Sequence, residues 1–122
     1  MTNDRILRVS DDQVDGVQEW VRETDDDDVR GVGALQREAD GRWNWQVGVS
    51  VAEFLREEPL EGEMRVAVER AIRSVPGVAE VVEEDREVWI LSGNPSGEDL
   101  VRAVGEAVDR LAPAARAYLD EL

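Results

Sequence analysis

Residues Glu63–Val78 read EMRVAVERAIRSVPGV. Met64, Ala67, Val68, Ala71, Ile72 and Val75 recur at the three- and four-residue spacing of one helical face, while Arg65, Glu69, Arg70 and Arg73 fall on the other. The stop signal follows at once. Pro76 pushes Val75 away from helical dihedrals, and Gly77 can adopt the left-handed cap that ends a helix. The stretch therefore predicts an amphipathic helix, buried along one side, that turns directly into a strand at Val78. Glu69 stands four residues before Arg73, the orientation that favours a surface ion pair.

Beyond the helix, Val78–Glu83 and Arg86–Leu91 read as a hairpin across Glu84-Asp85, with Val81, Val88 and Ile90 toward the core and Trp89 on the opposite face. Ser92-Gly93-Asn94-Pro95 is a loop. Ser96, with Asp99 at the third helical position, then opens a second helix in a near capping box. Leu100, Val104, Ala107, Val108 and Leu111 form its apolar stripe, and Glu98/Arg102 and Glu106/Arg110 its surface pairs. Pro113 lacks an amide donor and is expected to break or kink this helix. That leaves residues 112–122 as a helical tail whose Tyr118, Leu119 and Leu122 could close the core or reach a neighbouring subunit.

Before the helix, Asp40-Gly41 is a strong signal for a two-residue type I′ turn, because both central positions need positive φ. It pairs Ala39 with Arg42, Glu38 with Trp43, Gln36 with Trp45, Ala34 with Val47 and Val32 with Val49. The apolar residues then meet on one face, and a slip of one residue would turn them all to the other. Gly31, Gly33 and Gly48 collect on the opposite face beside Leu35 and Gln46. Ala52–Gly62 reads as a turn or a single helical turn. Nearer the N-terminus, Arg5–Val9 suggests a strand. Ser10-x-x-Gln13 suggests a capping box for a helix over about Asp11–Glu23, with Val14, Val17, Trp20 and Val21 on one face. Asp25–Asp28 repel one another and read as a solvated loop; the spaced ligands, Gly and terminal Glu of an EF-hand are missing.

These elements predict a single α+β domain over residues 1–122, with an antiparallel or mixed β-sheet and helices packed mainly on one face. Residues 1–28 form an N-terminal strand/helix arm with the acidic loop, 29–111 the core, and 112–122 the tail. From Glu63 to Leu111, Val75-Pro76-Gly77-Val78, the following hairpin and Ser96-Gly97-Glu98-Asp99-Leu100 resemble the later part of ferredoxin-like domains of the heavy-metal-associated type. The resemblance implies a ferredoxin-like sandwich. It does not bring that family's metal chemistry, because Glu57-Glu58-Pro59-Leu60-Glu61-Gly62 stands where a Cys-x-x-Cys loop would precede the first helix. Two topologies follow: a ferredoxin-like unit that begins with Arg5–Val9 and has an extra strand and helix appended, or two strand-strand-helix units from Val29 preceded by an arm. The first is preferred.

Composition narrows the chemistry. The 122 residues include no Cys and no His, and all 14 basic residues are Arg. Thiolate, imidazole and lysine amine chemistry are thereby excluded, leaving carboxylates, one Tyr and a few hydroxyls. A formal charge of −15 opposes nucleic-acid phosphates and anionic lipid, so neither nucleic acid nor membrane is an expected partner. No basic, apolar leader opens the sequence, which makes a cytoplasmic location the expectation. No cofactor, metal site or catalytic residue is assigned.

The candidate ligand or interface residues are Gly31, Gly33, Gly48, Trp43, Trp45 and Trp89. A strand face without side chains lets a helix, a second subunit or a small molecule come close, and Trp is enriched at interfaces. The leading expectation is a small acidic, non-enzymatic binding module, with a second copy of itself or another protein as partner. A cofactor-independent ferredoxin-like binding protein or enzyme is the alternative, with Glu53, Glu57 or Glu58 as base, Arg42 or Arg56 orienting an anion and Trp45 packing on the substrate. An acidic DNA mimic that inhibits a basic protein is the third.

Overall fold

A computed structural model of the chain describes residues 5–10, 17–23, 29–39, 42–85 and 87–121; side chains are not described at 5–10, 17, 23, 29–30, 38–39, 42–43, 54–55, 85, 112, 114–116 and 118–119. Six strands, β1 (Arg5–Ser10), β2 (Val17–Glu23), β3 (Val29–Ala39), β4 (Arg42–Val51), β5 (Val78–Asp85) and β6 (Val88–Gly93), form one antiparallel sheet in the order β1-β2-β3-β4-β6-β5. A 3-10 turn, Glu53–Arg56, leads into α1 (Leu60–Ser74); α2 (Gly97–Asp120) follows β6. The two helices pack on each other, α1 also against β5 and α2 against β2 and β3. The α+β class and a sheet with helices on one face are as expected.

The helix and hairpin signals around residues 63–78 and 32–49 translate directly. In α1, Met64, Val68 and Ile72 are wholly buried. Val75 is extended at φ −74°, ψ 128°, and Gly77 takes φ +96°. The β3–β4 pairing reproduces each expected partner, from Ala39 with Arg42 to Val32 with Val49. Asp40-Gly41 itself lies outside the described residues. Ser96 Oγ accepts from the Asp99 amide at 3.4 Å, as its N-cap position anticipates.

The N-terminal segment differs. Residues 17–23 form a strand rather than the end of a helix, so the strand-helix-strand opening of the preferred topology does not occur there; 11–16 and the acidic run 25–28 lie outside the described residues. The reason is an inward-facing, half-buried ion pair. Trp20 and Arg22 alternate onto the helix-covered side of the sheet, where Arg22, 8% exposed, donates to Asp109 Oδ2 of α2 at 2.5 Å. A charged residue facing inward masks the two-residue alternation by which a half-buried strand is read. Nothing in the local sequence links positions 22 and 109.

The second hairpin also shifts. β5 runs through Asp85 and β6 starts at Val88, so Glu84-Asp85 belongs to the strand instead of the turn, and a register irregularity between Glu83 and Asp85 pairs Val82 with Ile90 and Val81 with Leu91; Arg86 lies outside the described residues. Trp89 is consequently fully buried beneath the helices, while Val88 and Ile90 turn to the other side of the sheet. Pro113 lies within α2, which continues to Asp120 as one helix. The tail is therefore the last turns of α2; the side chains of Tyr118, Leu119 and Leu122 lie outside the described residues. Of the two surface pairs expected on α2, Arg102 meets Glu98 at 2.6 Å, whereas Arg110 donates to the Glu106 carbonyl.

The core lies between sheet and helices. Val32, Ala34, Trp45, Val47, Val49, Val51, Val81, Trp89 and Leu91 of the sheet meet Leu60, Met64, Val68 and Ile72 of α1 and Leu100, Val101, Val104 and Val108 of α2. Trp20 closes one end, tilted 36° against Trp45 with ring centroids 5.6 Å apart. On the α1 surface, Arg65 bridges Glu83 of β5, donating from Nε at 2.9 Å, and this bond holds its guanidinium above its ordinary pKa.

Candidate functional site

Both helices lie on one side of the sheet, and among the described residues no further layer covers its other side. Strand alternation fixes what it carries: Glu19 and Val21 on β2; Gly31, Gly33, Leu35 and Arg37 on β3; Asn44, Gln46, Gly48 and Ser50 on β4; Val88, Ile90 and Ser92 on β6; Glu80 and Val82 on β5. One row across the strands runs Val21-Gly33-Gly48-Val88, a hollow with glycine at its centre. The next runs Glu19-Leu35-Gln46-Ile90-Val82, a ridge. Between them is an open trough of about 400 Å³, lined by Val21, Gly33, Leu35, Gln46, Gly48 and Val88 among others.

The described glycines sort by what a side chain would meet. Gly77 and Gly93 have φ of +96° and +124°, and a Cβ on either would strike backbone of the other's segment at under 3 Å. At Gly97 and Gly105 a Cβ would overlap the Trp20 ring and the Arg22 side chain. Those four are required by the chain's own packing. Gly31, Gly33 and Gly48 are not: a Cβ there would find its nearest neighbour at 4.0, 3.6 and 3.9 Å, ordinary contact distances. A strand-interior glycine is less stable than alanine by roughly 0.5–1 kcal/mol, so the monomer forgoes stability at three places on one face with no steric need. Gly33→Ala and Gly48→Ala are each expected to raise the unfolding free energy of the chain in dilute solution by about that amount, read by urea denaturation; a loss at either position would mean that the fold itself needs the glycine.

The six candidate residues thus separate. Gly31, Gly33 and Gly48 lie together on the open face. Trp45 and Trp89 lie on the opposite face, 2% and 0% exposed, so neither can touch a molecule seated on the glycines. Trp43 pairs with Glu38 in the backbone register, and its side chain lies outside the described residues. Sequence reasoning missed the share of Val82, Val88 and Ile90 in the open face, because the register irregularity between Glu83 and Asp85 turns β6 over by one residue. Of the carboxylates weighed as bases, Glu53 and Glu57 line an open hollow of about 410 Å³ with Val51 and Arg56, but both are exposed, as is Glu58, and Arg56 is paired with Glu87 at 2.6 Å. Among the described residues, no group of three or more acidic side chains could hold a metal ion, and no helix is long and apolar enough to cross a membrane. Ala67, Ala71, Ala107 and Leu111 line a groove of about 440 Å³ on the outer side of the helices, rimmed by Arg70 and Arg110; its small residues are accounted for by the close packing of α1 on α2.

Comparison of the chain with protein-family models, with curated proteins and with solved structures finds no match.

Proposed function

We propose that this chain is a small acidic binding module without catalytic chemistry, which works by docking an apolar protein surface on the open face of its sheet. One observation carries the reading. In a sequence that is 35% charged, the centre of that face, from Val21 through Gly33, Leu35 and Gly48 to Val88, Ile90 and Val82, bears no charge, and Glu19 and Glu87 stand at the margin of the trough. Contiguous apolar surface of this kind marks interaction sites in soluble proteins. The shape favours a broad partner over a small molecule, since pockets for small ligands enclose 70–90% or more of them and this trough is open along its length. The likeness to ferredoxin-like domains bears on architecture only, and fold does not imply function; the element order from Val29 follows the other topology, two strand-strand-helix units preceded by an arm. The Arg residues interleaved with acid along both helices, as in Glu69/Arg73 and Glu98/Arg102, weigh against a DNA mimic.

A neutral solvatochromic dye such as Nile red tests the site without the repulsion an anionic dye would meet at −15. In dilute solution the folded chain is expected to bind it, and Leu35→Arg to lower that binding at least fivefold with the far-ultraviolet circular dichroism unchanged. Equal binding by both proteins would remove the open face as the site.

A further inference from the structure

We infer that the occupant of the open face is a second copy of this chain, the two sheets packing face to face as a symmetric sandwich. The inference rests on the docking role proposed above and adds the partner's identity.

Self-complementarity is the first argument. A two-fold interface requires that one patch match itself, each residue i meeting j while j meets i. Here a ridge and a hollow lie side by side on the same strands. A two-fold axis running across the strands between the two rows places Leu35 of one copy over Gly33 of the other, Gln46 over Gly48 and Ile90 over Val88, each contact occurring twice; toward the β2 edge it places Glu19 over Val21. The flanking rows match as well: Arg37 and Asn44 fall over Gly31 and Ser50, polar over polar and long over short. Gln46 of each copy lies beside the axis with its counterpart across it, so the one amide near the centre has an equivalent amide to bond. The strands of the two sheets run nearly aligned in this arrangement, the usual geometry of sandwiches.

The glycines supply the second argument. The fold leaves room for a Cβ at Gly31, Gly33 and Gly48, yet sheets stack only about 10 Å apart, and a ridge of Leu and Gln needs a hollow opposite. What the monomer does not require, the dimer does. Area is the third. Five strands at ~4.8 Å and about six residues at ~3.4 Å cover roughly 24 by 20 Å, so two copies bury on the order of 1,000 Å², which reaches the size a specific interface needs. Charge bears on the choice of face: two chains of −15 repel each other, and contact through the uncharged centre of this patch, with Glu19 and Glu80 toward its edges, brings few like charges together.

Sedimentation equilibrium across the micromolar range tests this, with salt as a second variable. The expected result is a species of twice 13.6 kDa whose dissociation constant falls as salt rises, because screening weakens the repulsion between copies. Leu35→Arg and Gly48→Glu, the latter at a position where a Cβ has room, are each expected to raise that constant at least tenfold with unchanged circular dichroism. Val66→Arg, at a 53% exposed site on α1, is expected to leave it unchanged. A dimer split by Val66→Arg and indifferent to Leu35→Arg overturns the inference. So does a monomer at every concentration. If that monomer still binds Nile red through Leu35, the docking role survives and only the identity of the partner falls; if it does not, both fail.

Discussion

Trp89→Ala is expected to lower the unfolding free energy by about 3–5 kcal/mol, the range for deleting a large buried aromatic. Trp89 is 0% exposed, paired with Val47 across β4–β6 and in the cluster that joins sheet to helices. A domain holds only ~5–15 kcal/mol in all, so the variant should be unfolded or nearly so at moderate urea. Trp89→Phe separates packing from polarity. The indole N–H of Trp89 is buried with no hydrogen-bond partner, so phenylalanine removes a donor that contributes nothing and leaves only a modest void, a loss of about 1–2 kcal/mol. Equal losses for Ala and Phe would show that the indole nitrogen carries the stability instead of the ring's bulk.

Gly93→Ala is expected to cost about 2–4 kcal/mol, from strained backbone together with a disrupted hydrogen bond. At φ +124° the position suits glycine, and an added Cβ would lie against the Gly77 carbonyl oxygen and 2.9 Å from the Ala79 nitrogen. That carbonyl also accepts from the Asn94 amide at 2.9 Å, so the turn ending α1 and the turn opening α2 are clasped together. Gly48→Ala is the matched control, one glycine in a clasp and one in a hollow. Opposite signs for the two in urea denaturation are the expected outcome; the same sign for both would mean that the sorting of glycines by steric need has failed.

Much of the fold was legible because local chemistry and periodicity agreed. Met64, Val68 and Ile72 marked the helix, Pro76-Gly77 marked its end, and Asp40-Gly41 fixed a register that every neighbouring pair respected. The failures share a cause, a long-range contact that overrides local pattern. Residues 17–23 read as the end of a helix, and nothing local shows Arg22 facing inward until Asp109, 87 positions away, is seen to receive it. The turn after β5 reads as Glu84-Asp85 until the irregularity between Glu83 and Asp85 moves it, and with it the facing of Val88, Trp89 and Ile90. Pro113 reads as a stop because propensity is local, whereas α2 continues through it. Of the candidate site, the three glycines could be grouped on one face from the Asp40-Gly41 register alone. Whether anything in the chain covered them could not be, since that depended on where the N-terminal segment and the second hairpin went.

The pairing of β4 with β6 has a further consequence. β1 through β4 are neighbours in sequence as in space, and so are β5 and β6; only the seam from Trp45–Gly48 to Leu91–Val88 joins ribbons separated by a whole helix and strand. Chains close short loops before long ones, so each ribbon can form early while the seam waits for α1 and β5. Gly48 and Val88 are partners in that seam. The hollow is thus complete only once that long-range join is made, and a half-assembled chain has no finished surface to offer.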